Sequence, residues 1–218
     1  MVAEVLAKTE MFEPLTDDEL TQLSAASRVR DLRRNDVLFH EHDEADELFV
    51  VTRGRVAMTR GFIDGRESVM ALMEVGDLFG EMPLFDGQTR STDGRALEPS
   101  GVVVVPYQPV RDLYSARPEL LWSVVRLLSS RLRVINEALA DSMFLDVAGR
   151  TAKRLLELSG GQDAFQLPVT QEELASMVGA SRERVNKALA QFARLGWLEQ
   201  HERRYRILDR EALVVRSR

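Results

Sequence analysis

The stretch VTQEELASMVGASRERVNKALAQFARLGWLEQHERRYRILD, Val169 to Asp209, decides how the C-terminal third of this chain folds. Thr170-Gln171-Glu172-Glu173 has the Thr-x-x-Glu pattern of a capping box, in which the hydroxyl and the carboxylate each satisfy a free amide at a helix start. Leu174, Ala175 and Val178 then form one apolar face, Gly179 supplies a turn, and Ser181 caps a second helix with Val185, Leu189 and Phe192 inward. Two short helices around such a turn predict a helix-turn-helix. In that motif the second helix lies in the DNA major groove, with its first residues at base edges. Here those residues are Arg182, Glu183, Arg184, Asn186 and Lys187. Arg and Lys suit the O6/N7 edge of guanine, and Glu accepts from cytosine N4. Glu183 discriminates, because a helix that needed only the charge of DNA would not set a carboxylate among phosphates. Arg184 suits a phosphate. Thr170, Gln171 and Ser181, at the helix starts, complete the candidate DNA-contacting set. Leu195-Gly196-Trp197-Leu198, the polar turn His201–Arg204 and Tyr205-Arg206-Ile207-Leu208 read as a β-hairpin wing. A three-helix bundle with a solvated charged face is the alternative for the same residues.

Immediately upstream, Asp146 in FLDVAGR can cap a helix reaching about Ser159, and Gly160-Gly161-Gln162-Asp163 reads as a loop. Before that, Leu121, Val125, Leu128, Leu132, Ile135 and Leu139 repeat at 4,3,4,3,4 spacing, an a/d seam over nearly three heptads. A seam that narrow calls for a partner helix, and a symmetric homodimer is the commonest source of one. Packing on the chain's own N-terminal domain is the alternative.

Further upstream the period changes. From about Val29 to Pro106, short apolar runs (VLF, LFVV, VAM, VMALM, GVVVV) alternate with turn signals at Asn35-Asp36, Arg53-Gly54, Asp64-Gly65, Gly76-Asp77 and Asp86-Gly87. Strands at this spacing predict an all-β barrel or sandwich-like roll, with Asp64-Gly65 the strongest hairpin signal. Thr16-Asp17-Asp18-Glu19 is a second capping box, predicting a helix over Asp17 to about Ala26. One run interrupts the strand series: GEMPLFDGQTRS, Gly80 to Ser91. Its glycines allow close backbone approach and its Arg fork complements phosphate oxygens, whereas Glu81 repels phosphate and suits a sugar hydroxyl. The combination fits a ligand carrying both groups; a surface turn with a solvated Arg is the alternative.

Composition agrees with a two-part chain. The 218 residues carry a formal net charge of −6, split unevenly. Residues 1–144 hold 16 Lys/Arg against 25 Asp/Glu, net −9; residues 145–218 hold 13 against 10, net +3. An acidic front and a basic back suit a sensor joined to a nucleic-acid reader. There is no Cys, which excludes disulfides, thiolate zinc sites and cysteine-ligated iron–sulfur clusters. His40, His42 and His201 are too scattered to suggest a metal or haem site. The N-terminus has acidic residues where a secretory signal would be apolar, and no run approaches the roughly 20 apolar residues of a spanning helix, so no membrane association and a cytoplasmic location are expected.

With these elements in this order, the chain resembles the CRP/FNR family of transcription regulators from about Phe12 to Leu213. FGEMPLFDGQTRS is similar to the family's phosphate-binding cassette, MFLDVAGR to its hinge, and GASRERVNKAL to its recognition helix. The resemblance implies an α+β fold: a β-roll, jelly-roll-like cyclic-nucleotide-binding sensor over residues 1–117, a dimerisation helix over 118–144, and a winged helix-turn-helix over 145–218. It implies that Glu81 meets the ribose 2′-hydroxyl, that Arg90 and Ser91 meet the cyclic phosphate, and that Gly80 permits backbone approach. Phe79, Met82 and Thr92 line the same cassette, and Ile135 and Asn136 sit where relatives contact the purine. Cyclic AMP, or cyclic GMP, is the implied effector, with no metal, haem or iron–sulfur cluster. Double-stranded DNA bearing TGTGA-like half-sites, a second copy of the chain and RNA polymerase are the implied partners; the surfaces that touch polymerase carry no readable motif.

Two departures qualify these expectations. Asn35 and His42 stand where relatives usually have glycines in early roll turns, and both types tolerate left-handed backbone better than most residues. Ile135-Asn136 replaces a Thr-polar pair, so a hydroxyl to the purine is lost, a change of about 0.5–1.5 kcal/mol. A nucleotide-gated regulator is therefore expected first, a ligand-independent regulator second, and a nucleotide-binding module acting on a protein partner third. No nucleophile–base pair supports an enzyme.

Overall fold

The computed structural model describes residues 2–61 and 67–218, the side chain of Glu67 excepted. The Asp64-Gly65 hairpin signal lies outside the described residues. Contacts divide the chain into two units. One holds Met70–Arg133 together with the chain up to Gly61; the other holds Val134–Arg218 with the short piece before Met70.

The first unit opens with helices α1 (Val2–Ala7) and α2 (Asp17–Ala26). At α2 the expected capping box is complete: the Glu19 amide donates to Thr16 Oγ1 at 3.3 Å, and the Thr16 amide to Glu19 Oε2 at 2.8 Å. Among the described residues, eight strands follow: β1 (Arg28–Leu32), β2 (Val37–Phe39), β3 (Glu47–Arg53), β4 (Val56–Gly61), β5 (Glu67–Met73), β6 (Leu78–Phe79), β7 (Asp93–Ala96) and β8 (Ser100–Pro106). They form two four-stranded sheets, ordered β1-β8-β3-β6 and β2-β7-β4-β5. The five apolar runs of the sequence are β2, β3, β4, β5 and β8.

Strands β3 and β8 show why their sequences are apolar at every position. They pair antiparallel, with Leu48 opposite Val105 and Phe49 opposite Val104. Side chains alternate across a strand. Leu48, Val50, Val103 and Val105 therefore enter one core with residues of α1 and α2, while Phe49, Val51, Val102 and Val104 enter another with Phe39, Met58 and Phe79. A strand covered on both faces reads as a continuous apolar run.

Asn35 and His42 adopt φ of 69° and 72°, so the roll turns keep their left-handed backbone without glycine. His42 matters most, because its turn grips the chain behind the cassette. The His42 amide donates to Arg90 O at 2.8 Å and the Arg90 amide to Asp43 O at 2.9 Å.

Between β6 and β7 lies α3 (Met82–Asp86), a single turn that ends on Gly87 at φ 67°. After β8 come α4 (Tyr107–Ala116), a 3₁₀ turn (Pro118–Leu120) and the long helix α5 (Leu121–Phe144). Leu120, Val124 and Leu127 enter the first core. The a/d residues do not: Leu121, Val125, Leu128, Leu132, Ile135 and Leu139 are 42–62% exposed. Two stripes thus run along one helix, and the seam is not the one that packs on the chain's own roll.

In the second unit, α6 (Val147–Leu158) follows the break at Leu145-Asp146, with Asp146 as its cap at 2.8 Å from the Gly149 amide. Strand β9 (Ala164–Gln166) precedes α7 (Gln171–Val178) and α8 (Arg182–Arg194), then come β10 (Leu198–His201), β11 (Arg204–Ile207) and α9 (Arg210–Arg216). The Thr170 box, Gly179 at φ 67° and the Ser181 cap are all present. The hairpin wing forms as expected, and β9 adds a third strand against β11.

Candidate functional site

In the cassette, Phe39, Phe49 and Phe79 gather at centroid distances of 5.2–6.3 Å. The Arg90 guanidinium lies over them, 4.3 Å from the Phe39 ring centre and 5.5 Å from that of Phe49. Cation–π attraction gains when the charge is desolvated, and Arg90 is only 4% exposed. Its Nη1 donates to Gly80 O at 2.8 Å and to the Tyr107 hydroxyl at 3.3 Å, and its Nη2 to Glu47 O at 2.7 Å. The Tyr107 hydroxyl also donates to Gly80 O. Burial pushes the Tyr107 hydroxyl up to about 12 against the opposing pull of Arg90, so it stays a donor. Gly80 is required here: at φ 77°, a Cβ would stand 2.6 Å from Arg90 Nη1.

Glu81, 1% exposed, faces a cation that the sequence reading missed. Arg131 of α5 donates through Nη1 to Glu81 Oε1 and through Nη2 to Leu78 O. The signal for it was in the sequence. Leu120, Val124 and Leu127 mark the roll-facing stripe, and the next position at the same spacing is Arg131, a charge where the stripe predicts burial.

Two charged atoms of the cassette remain buried without a partner among the described residues, Glu81 Oε2 and Arg90 Nε. Buried polar atoms are normally satisfied, so an acceptor and a donor are left over. Among the described residues, the hydroxyls of Ser91 and Thr92 meet only sulfur, at 3.9 Å from Met82 Sδ and 3.8 Å from Met58 Sδ. A ligand with a sugar hydroxyl and an anionic group fits this set: Glu81 Oε2 can accept from the hydroxyl, and Arg90 Nε and Ser91 Oγ can donate to the anion. The terminal nitrogens of Arg90 already hold the backbone at Gly80 and at Glu47 of β3, which leaves less of the fork for phosphate than the sequence implied.

In the candidate DNA-contacting set, Ser181, Arg182, Glu183, Arg184 and Lys187 are exposed at the start of α8, while Val185, Ala188, Leu189 and Phe192 are buried beneath them. The Arg184 amide donates to Ser181 Oγ at 3.4 Å. Asn186 differs from its neighbours: it is half-buried, with Oδ1 enclosed and without a partner among the described residues. Thr170 and Gln171 are half-buried at the start of α7. Ile135 and Asn136 are exposed on α5.

A protein-family model described as cyclic nucleotide-binding domain matches residues 29–117, and one described as Crp-like helix-turn-helix domain matches residues 149–216. The chain is 36% identical over 222 residues to a CRP-like cAMP-activated global transcriptional regulator of Mycobacterium tuberculosis, across 99% of each. The chain belongs to the CRP/FNR family of transcription regulators. It is also 31% identical over 184 residues to the cAMP-activated global transcriptional regulator of Salmonella typhimurium, covering 81% of this chain and 88% of that one. Among solved structures, FixK2 from Bradyrhizobium japonicum superposes with a TM-score of 0.80 at 20% identity over 88% of this chain and 98% of that one, a likeness of fold. The c-di-GMP responsive regulator CLP of Xanthomonas campestris gives 0.76 at 26% identity over 88% and 99%. Like its relatives in the family, the chain is a DNA-binding regulator with a cyclic-nucleotide-binding domain, and not an enzyme. No helix among the described residues is long and apolar enough to cross a membrane.

Proposed function

We propose that this regulator acts as a homodimer whose β-roll binds a cyclic nucleotide, cAMP in the first instance, and whose paired α8 helices read a palindromic site with TGTGA-like half-sites. Glu81 carries the reading. One of its oxygens is held by Arg131 of the long helix while the other is buried without a partner among the described residues, so a ligand hydroxyl on the second oxygen bears directly on the helix that carries the exposed seam. Closing that seam against a second copy would bury six apolar side chains on each helix. A full burial is worth about 1.5–3 kcal/mol per Leu or Ile side chain, and less where about half is already covered. Gating then requires that the nucleotide prefer the DNA-competent arrangement. The relatives named cAMP-activated support cAMP, and the c-di-GMP responsive neighbour makes c-di-GMP the competitor to include. RNA polymerase remains the downstream partner in this reading.

Isothermal titration with cAMP, cGMP and c-di-GMP tests the ligand. Binding of cAMP that weakens about three- to tenfold in Ser91→Ala, one lost hydrogen bond, supports it; no binding of any of the three overturns it. Sedimentation tests the dimer, and a stable monomer at micromolar concentration removes it.

A second reading is favoured by Ile135, which has no hydroxyl and lies 62% exposed on the seam. There the dimer is DNA-competent without nucleotide. Operator affinity changing less than about threefold on adding saturating cAMP, well under the 1.4 kcal/mol of a tenfold change, would select it.

A further inference from the structure

The junction between α5 and α6 is held by cations from around the second unit, and one of them comes from the last turn of the chain. Arg216 of α9 places Nη2 against both oxygens of Asp146, 2.5 Å from Oδ2. Asp146 is the residue that caps α6 through the Gly149 amide. The approach is close: a Cβ on Gly149 would stand 3.0 Å from Arg216 Nη1 and 3.1 Å from Arg216 O. Leu213, fully buried, anchors α9 one turn earlier. Two neighbours complete the arrangement. Arg150 donates to Leu145 O at 2.7 Å and to Val178 O at 2.8 Å, and Lys153 pairs with Asp141, in the last turn of α5, at 2.5 Å.

We infer that α9 is a clasp and Arg216 a positioning residue: by gripping the α6 cap it holds Leu145-Asp146 in one conformation, so that the end of α5 and the helix-turn-helix move together. The Gly149 amide and then the Arg216 guanidinium keep the Asp146 carboxyl below the usual range, so it is ionised at neutral pH. The pair is largely exposed on the Asp146 side, 66%, and exposed pairs contribute little to global stability. Its effect belongs to the local opening of the junction.

Amide exchange of the full chain, followed by peptide, tests the clasp without any nucleotide. In Arg216→Gln, exchange across residues 145–150 rises about threefold or more, while the buried stretches of α7 and α8 stay unchanged. Asp146→Asn keeps a capping oxygen but loses the charge, so it gives the same rise, and the double variant adds nothing further. About 1 M salt, where the screening length is about 3 Å, brings wild type toward the variants. A rise spread evenly over the whole unit, no rise, or additive single effects overturns the inference. Operator affinity with and without cAMP adds the functional arm, which rests on the gating proposed above. If wild type shows no cAMP response, gating fails while the exchange result still decides the clasp; if wild type responds and the variants respond equally, the clasp does not carry the coupling.

Discussion

The cassette with the part of α5 beside it, and the start of α8, both carry arginines, and they handle them in opposite ways. Arg90 and Arg131 are held on carbonyls, a carboxylate and aromatic rings inside the first unit. Arg182, Arg184 and Lys187 stand exposed at the start of α8, with no ion pair to another described residue. A buried charge must be partnered to exist at all, so Arg90 and Arg131 are parts of the fold whatever else they do. The exposed cations are supported only by the apolar underside of their helix and are free to meet DNA. Mutations should therefore separate the two regions by what they damage.

The largest expected effect is on the buried side. Arg131→Ala leaves the Glu81 carboxylate buried without its ion pair and should destabilise the first unit by about 3 kcal/mol, read from urea unfolding. Arg131→Met combined with Glu81→Gln should recover most of that. A loss under about 1 kcal/mol for Arg131→Ala would mean that the contact is dispensable and the contrast false. On the exposed side, Arg182→Ala should cost about 1–3 kcal/mol of preference for the matched half-site over a mutated one, with unfolding changed by less than about 0.5 kcal/mol. Competition binding at fixed salt measures the first and thermal unfolding the second.

A matched pair of caps sharpens the comparison further. Thr16 and Thr170 sit in equivalent capping boxes, one in each unit. Thr16→Ala and Thr170→Ala should each cost about 1 kcal/mol. Unequal losses would show that tertiary context, not the local motif, sets the value. Below pH 10 a further contrast is silent. Burial pushes Tyr107 and Tyr114 up to about 12 and raises Tyr205, the only three tyrosines in the chain. Each ionises in the unfolded chain near 10 and later in the folded one. Stability from these groups is therefore intact below pH 10 and falls as pH rises from there through the folded values. The phenolate absorbance of native protein should stay absent at pH 10 and appear together with unfolding.

Much of the second unit could be read directly. Its caps at Asp146, Thr170 and Ser181 and its Gly179 turn are local motifs, in which a side chain bonds an amide three residues away. Helix α9 and strand β9 escaped because they are short and gain their stability from packing and pairing. The cassette was readable only in part. Gly80, Glu81, Arg90 and Ser91 were evident from residue type and spacing, and the structure brings them together. That Arg90 grips Glu47 and Gly80, and that Tyr107 joins them, depends on side-chain hydrogen bonds between residues 10 to 43 positions apart.

The long helix shows the division most clearly. Its heptad seam and its second stripe were both written in the spacing of apolar residues, because side-chain direction in a helix follows from its 3.6-residue turn. Which stripe the roll would cover was not, since either could satisfy the same hydrophobic drive. Only the folded roll decided it, by offering Glu81 and the Leu78 carbonyl at the place where Arg131 arrives. Local motifs and periodicities are set by bonds and angles within a few residues, and those the sequence determined alone. The partners of buried charges are chosen by chain segments far apart in the sequence, and those only tertiary structure could name.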